Sequence, residues 1–377
     1  MKTALRVVVA PDKFKGSLTA VEAARAIGEG VRDVAGDAEV RECPVADGGE
    51  GTLDVLLAAG GTRVDVRVRG PLDAPVDAWY VLLDGTAYVE SARACGIEHV
   101  EPTPGVALAA HTYGVGELMA HALDNGARRI VLTVGGTAST DGGAGMLLAL
   151  GAVLLDDDGK PVGLGGGALD AVRTVDLAPV RQRLGPAQVG VATDVTNPLL
   201  GTEGAAPVFG PQKGAGPDEV ESLARALTSW SDALVRSGCA PFADIAGGGA
   251  GGGVAAGALA GLGASIESGF DLVVDLTGVL DALEGADLVI TGEGSLDRQS
   301  LAGKAPAGIA ARAGQRNIPV LAVAGRVQLE HAELVAAGIA DSRALIEHAP
   351  SLEHATRNAY PLLREQTAEL VRSWLDR

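Results

Sequence analysis

Five times along the chain an apolar run stops at a loop that joins a carboxylate to glycine or hydroxyl residues. These loops are APDKFKGS, ADGGEGT, GGTASTDGG, ATDVTNPLLG and TGEGSLDRQSLAGK. The runs before them, such as Arg6–Ala10 and Ile130–Val134, are short and rich in branched residues, which reads as buried strand. Each loop therefore lies at the carboxyl end of a predicted strand, where open α/β sheets place their ligands. A chain punctuated in this way is confined to strand–loop–helix units and a largely parallel sheet.

The rest of the pattern divides the chain. Thr19-x-x-Glu22 has the capping-box form, and Ala23, Ile27, Val31 and Val34 mark one face of the helix that follows. A second strand over Val40–Val45 and a helix over Leu53–Ala59 complete a β-loop-α-β-loop-α opening. The grammar then changes. Val64, Val66 and Val68 alternate with charged residues, and Asp84-Gly85 sits between two strand-like runs as a hairpin turn. The middle of the chain also carries a turn near Asp158-Gly159, a strand over Val189–Val195 and a long helix over Pro217–Ser237. From Ala286 the first grammar returns, with strands at ADLVITG and IPVLAVAG and a last one over Ala344–His348. The expected fold is α/β in two domains. Both chain ends, residues 1–70 and 286–377, form a parallel-sheet domain, and residues 71–285 form an inserted mixed α/β domain. Ligands are expected in the cleft between the lobes.

At 377 residues the chain exceeds one ordinary core, which agrees with two domains. Glycine, aspartate or arginine interrupts every apolar stretch, so no membrane span is expected. The opening residues read as a first strand rather than a signal peptide, and three scattered cysteines make no disulfide framework. A cytoplasmic protein is expected. The net charge of −18 argues against a nucleic-acid surface. Of 30 basic residues only six are lysine, and Lys13, Lys15, Lys213 and Lys304 lie in glycine-adjacent turns. A compact ammonium there suits a phosphate oxygen. Lys160, in a D-G-K turn, reads as solvated.

The loop from Gly135 to Gly143 can be read in two ways. Glycine-rich turns between strand and helix let backbone N–H groups approach an anion. Yet Gly135, Gly136, Thr137, Ser139, Thr140 and Asp141 fit neither G-x-x-x-x-G-K-[ST] nor G-x-G-x-x-G. Asp, Gly, Ser and Thr are also plain turn formers and helix caps. Five such loops at strand ends, two with lysine, favour a phosphate and metal site over turn chemistry alone. The run Gly247–Gly253 is either a backbone approach to a nucleotide, a hinge or a tight packing turn. The six histidines lack metal spacing, and Cys43 and Cys95 read as buried thiols.

Taken together, APDKFKGSLTA, VADGGEGT, GGTASTDGGAGM, NPLLG with GPQKGA, and TGEGSLDRQSLAGKAP closely resemble the glycerate kinase type 1 family of bacteria. The resemblance covers essentially the whole chain. It implies a Rossmann-like domain plus an inserted one, and ATP-dependent phosphorylation of D-glycerate to 2-phosphoglycerate in preference to 3-phosphoglycerate. Two rivals stay open, a kinase for another small hydroxy acid and a non-catalytic two-lobed organic-acid-binding protein. Where the family pattern has CDVDNPL this chain has Thr193 for the cysteine and Thr196 for the second aspartate, one possible metal carboxylate fewer.

Phosphoryl transfer asks for positioning, neutralised charge and an oriented hydroxyl. ATP and Mg²⁺ are the expected cofactors, D-glycerate the expected partner, and a monomer or homodimer the expected state. Asp194 is the first candidate for general base, followed by Asp47 and Asp297. The alternative for Asp194 is an Asx-turn before Asn197-Pro198. Lys13 and Lys15 are candidates to meet the carboxylate of glycerate. Asp194 and Glu293 are candidate metal ligands, although Glu293 has a helix-capping alternative. Ser17, Gly48, Gly49, Glu50, Gly135, Gly136, Thr137, Ser139, Thr140, Asp141, Lys213, Gly294, Ser295 and Lys304 are the candidate substrate- and ATP-binding residues.

Overall fold

The computed structural model describes residues 4–301 and 305–377, so Lys304 lies outside the described residues. Along the chain run β1 (Arg6–Val9), β2 (Glu39–Glu42), β3 (Thr62–Arg69), β4 (Pro75–Leu83), β5 (Thr86–Glu90), β6 (Arg129–Thr133) and β7 (Val153–Leu155). They are followed by β8 (Thr174–Asp176), β9 (Gln188–Ala192), β10 (Ser265–Glu267), β11 (Leu288–Leu296), β12 (Val320–Val327) and β13 (Asp341–Ala344). The chain forms two compact units. The first holds Met1–Asp47, Asp54–Ala59 and Phe270–Arg377, and the second Gly48–Leu53 and Gly60–Gly269.

The first unit is built on a five-stranded parallel sheet in the order β13-β12-β11-β1-β2. Val7, Val9, Leu288, Ile290, Leu321 and Val323 join one core layer, while Val8, Val289, Ala322 and Ala324 join another. Alternate residues thus face opposite sides and both sides are buried, which is why these strands read as unbroken apolar runs. The capping box forms: Thr19 Oγ1 accepts from the Glu22 amide at 3.2 Å, and the Thr19 amide donates to Glu22 Oε2 at 2.9 Å. The helix it starts, Ala20–Val34, packs on the helix Ala359–Leu375.

Two local expectations are corrected here. The TGEGSL segment is strand rather than loop, because β11 continues through Leu296 and pairs Ser295 with Arg326 and Leu296 with Val327. Residues Leu345–His348 form a 3₁₀ turn after β13 instead of extending a strand over Ala344–His348. Leu345 is buried while Glu347 and His348 face solvent, which is a turn's distribution of apolar and polar residues rather than a strand's alternation.

The second unit holds a six-stranded mixed sheet in the order β10-β9-β6-β5-β4-β3. Its first four members are parallel, and β4 and β3 are antiparallel to their neighbours. The expected hairpin joins β4 to β5, with Asp84 at φ 50° and Gly85 at φ 75°, the left-handed pair of a type I′ turn. The compact units divide at 60 and 270, where the sequence pattern pointed to 70 and 286. Val64, Val66 and Val68 pack on the core of the second unit, and Phe270, Val273 and Val274 pack in a layer of the first. No described helix is long and apolar enough to cross a membrane.

Candidate functional site

In the first unit the chemistry gathers beyond the carboxyl end of β1 and along the carboxyl-terminal half of β11. Sheet pairing continues past β1, since the amides of Ala10 and Asp12 donate to the carbonyls of Ile290 and Gly292, both at 2.8 Å. A tight turn then closes around Gly16, with Phe14 bridged to Leu18 and the Ser17 hydroxyl donating to the Phe14 carbonyl at 3.0 Å. Buried Phe14 anchors this turn, and Lys15 beside it is exposed.

Asp12 is one residue that sequence reasoning missed. It is 6% exposed, and its Oδ1 accepts from the Lys13 amide at 2.6 Å. Burial pushes its carboxyl up to about 7; the charge of Lys13 opposes this, while repulsion from Asp47 and Glu293 adds to it. Asp12 thus lies within reach of the charges of three candidate groups, Lys13, Asp47 and Glu293. The signal was present in APDKFKGS, where a carboxylate directly follows the strand, but the lysines beside it are the stronger cue. Asp297, by contrast, exchanges bonds with Ser300: the Asp297 amide donates to Ser300 Oγ at 3.0 Å, and the Ser300 amide donates to Asp297 Oδ1 at 3.2 Å. That is the geometry of a helix cap, at the start of the helix Arg298–Leu301.

Gly294 and Ser295 lie within β11 and line a pocket of about 190 Å³ together with Lys15, Ser17 and Arg326. Arg326 was not singled out from the sequence. It reaches this pocket only because β12 pairs with β11, which no local pattern announces.

In the second unit the loop after β6 meets the glycine run and Lys213. Gly135, Gly136 and Thr137 line a pocket of about 210 Å³ with Thr193, Lys213, Gly251 and Gly252. Lys213 is 2% exposed, and its ammonium donates to the Ser139 carbonyl. Burial pushes it down to about 8, opposed by Cys95 and Asp141. Gly251, Gly252 and Gly253 all have positive φ, and a Cβ at Gly252 would stand 2.1 Å from the Ser139 carbonyl oxygen. This glycine run is thus a packing turn against the loop after β6, with some of its backbone left facing the pocket.

Asp141 turns out to be fully enclosed. Its Oδ2 accepts from the Thr112 amide, the Thr112 hydroxyl and the Gly145 amide at 2.9, 2.8 and 3.1 Å, and its Oδ1 from the Gly143 amide at 3.2 Å. It fixes the entry to the helix Ala144–Ala149. Ser139 and Thr140 are buried beside it, and Cys95 is a buried thiol pushed up to about 11 by burial and then by Asp141.

Asp194 follows β9 and is exposed, with Oδ1 accepting from the Ser268 hydroxyl at 2.9 Å. The local side-chain turn belongs to Thr193, whose Oγ1 accepts from the Val195 amide at 3.2 Å. Of ADGGEGT, Asp47 falls in the first unit, and Gly48, Gly49 and Glu50 fall in the second. A Cβ at Gly48 would lie 2.4 Å from the Gly269 Cα, so glycine is needed there for close packing. Among the described residues no three His, Cys, Asp or Glu side chains stand close enough to hold one metal ion. Mg²⁺ needs only one or two carboxylates, since it keeps waters and takes phosphate oxygens, and the charged neighbourhood of Asp12 meets that demand.

Residues 7–375 match the sequence profile of the glycerate kinase family. The chain is 39% identical to a glycerate kinase of Bacillus subtilis strain 168, over 98% of this chain and 97% of that one. It is also 39% identical to a glycerate 2-kinase of Escherichia coli K12, over 94% of each chain. A crystal structure from Salmonella typhimurium LT2, assigned as a glycerate kinase 2, superposes with a TM-score of 0.85 at 39% identity and 99% coverage of both chains.

Proposed function

The chain belongs to the glycerate kinase family, and we propose that it transfers the terminal phosphoryl group of ATP to the 2-hydroxyl of D-glycerate, giving 2-phosphoglycerate. The observation that supports this reading is Asp12, buried just past β1 among the charges of Lys13, Asp47 and Glu293, the last of them within the carboxyl-terminal half of β11. Phosphoryl transfer is mostly positioning and charge neutralisation, and such a group supplies both. Lys13 and Lys15 meet the anionic groups of the substrates. Asp194 takes the hydroxyl proton: it is exposed, and the Ser268 hydroxyl orients it. Asp297 is the weaker alternative because its carboxylate caps a helix.

Mg²⁺, when bound, offsets the charge on the phosphate oxygens. One or two of the carboxylates Asp12, Asp47 and Glu293 would hold it in the first unit, and Asp194 remains a candidate ligand in the second. The backbone of Gly135, Gly136, Gly251 and Gly252 lines a second candidate anion site, beside Lys213, whose ammonium donates to the Ser139 carbonyl. The two compact units are proposed as the two domains, one made of both chain ends, acting in the cytoplasm where ATP is available.

The test is an ADP-release assay of purified protein with ATP, Mg²⁺ and each glycerate enantiomer, followed by NMR of the product. ADP release with D-glycerate and a phosphate on C2 is expected. Absence of ADP above background with either enantiomer would overturn the reading, and a product phosphorylated on C3 would overturn its regiochemistry.

A further inference from the structure

The order of the first sheet singles out one place in this unit. From β1 the chain steps outward to β2, whereas from β11 it steps the opposite way to β12 and β13. The sheet therefore has its switch point between β1 and β11, and ligands of open α/β sheets bind outside the carboxyl ends of the strands at that point. The 190 Å³ pocket opens there, bounded by the turn after β1 and by β11 and β12.

Its walls have two kinds of chemistry. One side is apolar: Leu345 is buried in the core, and Leu352, at the start of the helix Leu352–Arg357, is 58% exposed at the pocket. The other side is cationic. Lys15 and Arg326 are both exposed, and neither forms an ion pair among the described residues. Gly294 and Gly325 also line the pocket. A Cβ at Gly325 would stand 2.4 Å from the Gly294 carbonyl oxygen, so glycine alone permits this approach of β12 to β11.

We propose that this pocket seats the base of the nucleotide against Leu345 and Leu352, with the phosphates held by Lys15 and Arg326. The inference rests on the kinase reading and adds which substrate this unit takes. A flat ring that bears a polyphosphate needs an apolar wall beside cations; glycerate, a small anion with two hydroxyls, has no use for the wall. The volume agrees, because pockets that enclose a whole drug-sized ligand run to roughly 300–1,000 Å³ and this one is smaller. It takes a ring, with the phosphates outside.

Isothermal titration of the full-length protein with ADP, adenosine and inorganic triphosphate separates the parts. Leu352→Ser should weaken ADP and adenosine by at least about tenfold and leave triphosphate unchanged. Arg326→Gln should weaken ADP and triphosphate by about the same factor and leave adenosine unchanged. The proposal is overturned if both variants bind ADP as the wild type does. It is also overturned if Leu352→Ser weakens D-glycerate instead of adenosine. Turnover of D-glycerate by the wild type, measured in parallel, keeps the two readings apart. Lack of turnover sinks the kinase reading, whereas normal turnover with unchanged KM for ATP in both variants sinks only the placement of the nucleotide.

Discussion

The loop after β1 and the loop after β6 look alike in sequence, each joining a carboxylate to glycine and hydroxyl residues, yet the fold uses them differently. After β6, Asp141 accepts four hydrogen bonds and Lys213 is buried on a carbonyl, so the charged groups hold the loop itself in place. After β1, Lys15 remains exposed, and burial first, with Asp47 and Glu293 adding to it, raises the proton affinity of Asp12. Saturated charges rigidify a scaffold, while an incompletely compensated one is available for a ligand. A glycine–carboxylate loop thus becomes a ligand site only when its donors and acceptors are not already used within the fold.

Breaking the loop after β6 should do the most damage. Asp141→Ala leaves buried donors at Thr112, Gly143 and Gly145 without an acceptor, and should cost roughly 3–5 kcal/mol in chemical denaturation. A loss below about 1 kcal/mol would mean that these bonds do not hold the loop.

The two buried charges should make stability respond to pH in opposite senses. Asp12 has its carboxyl raised from 3.8 to about 7, so between these values the folded chain keeps a proton that the unfolded chain has lost. Its contribution to stability therefore falls as pH rises through this window. Lys213 is lowered from 10.5 to about 8, so between these values the unfolded chain holds the extra proton and stability rises with pH. Each effect should amount to a few kcal/mol, about 1.4 kcal/mol for every pH unit that the window spans. It should disappear in Asp12→Asn and Lys213→Met respectively. Denaturation midpoints of wild type and variants across pH 3.8–10.5 give the check. Parallel curves for wild type and variant would show that the group is not held as described.

Asp194→Asn sharpens the contrast from the side of catalysis. It keeps the acceptor for Ser268 and removes the base, so kcat should fall by about two orders of magnitude while the melting temperature holds. A loss under about tenfold in folded protein would shift the role of base to Asp47. The smallest effect is expected at Lys160, whose pair with Asp158 at 3.0 Å is exposed on the turn after β7. Lys160→Ala should change stability by less than about 0.5 kcal/mol and leave turnover unchanged.

Local sequence was enough for the α/β class, the participation of both chain ends in one parallel sheet, the Thr19–Glu22 cap and the Asp84-Gly85 hairpin. These follow from period, composition and turn chemistry, which act over a few residues and are written locally. Five linked loops also made the family legible. Which of those loops is saturated is settled in three dimensions. Asp141 finds Thr112 across 29 residues, Lys213 finds Ser139 across 74, and Arg326 is brought beside Ser295 by strand pairing. Burial of Asp12 likewise comes from elements distant in the chain. Hydrogen bonding and desolvation depend on what packs around a group in space, and the residue types next to it in sequence do not carry that information.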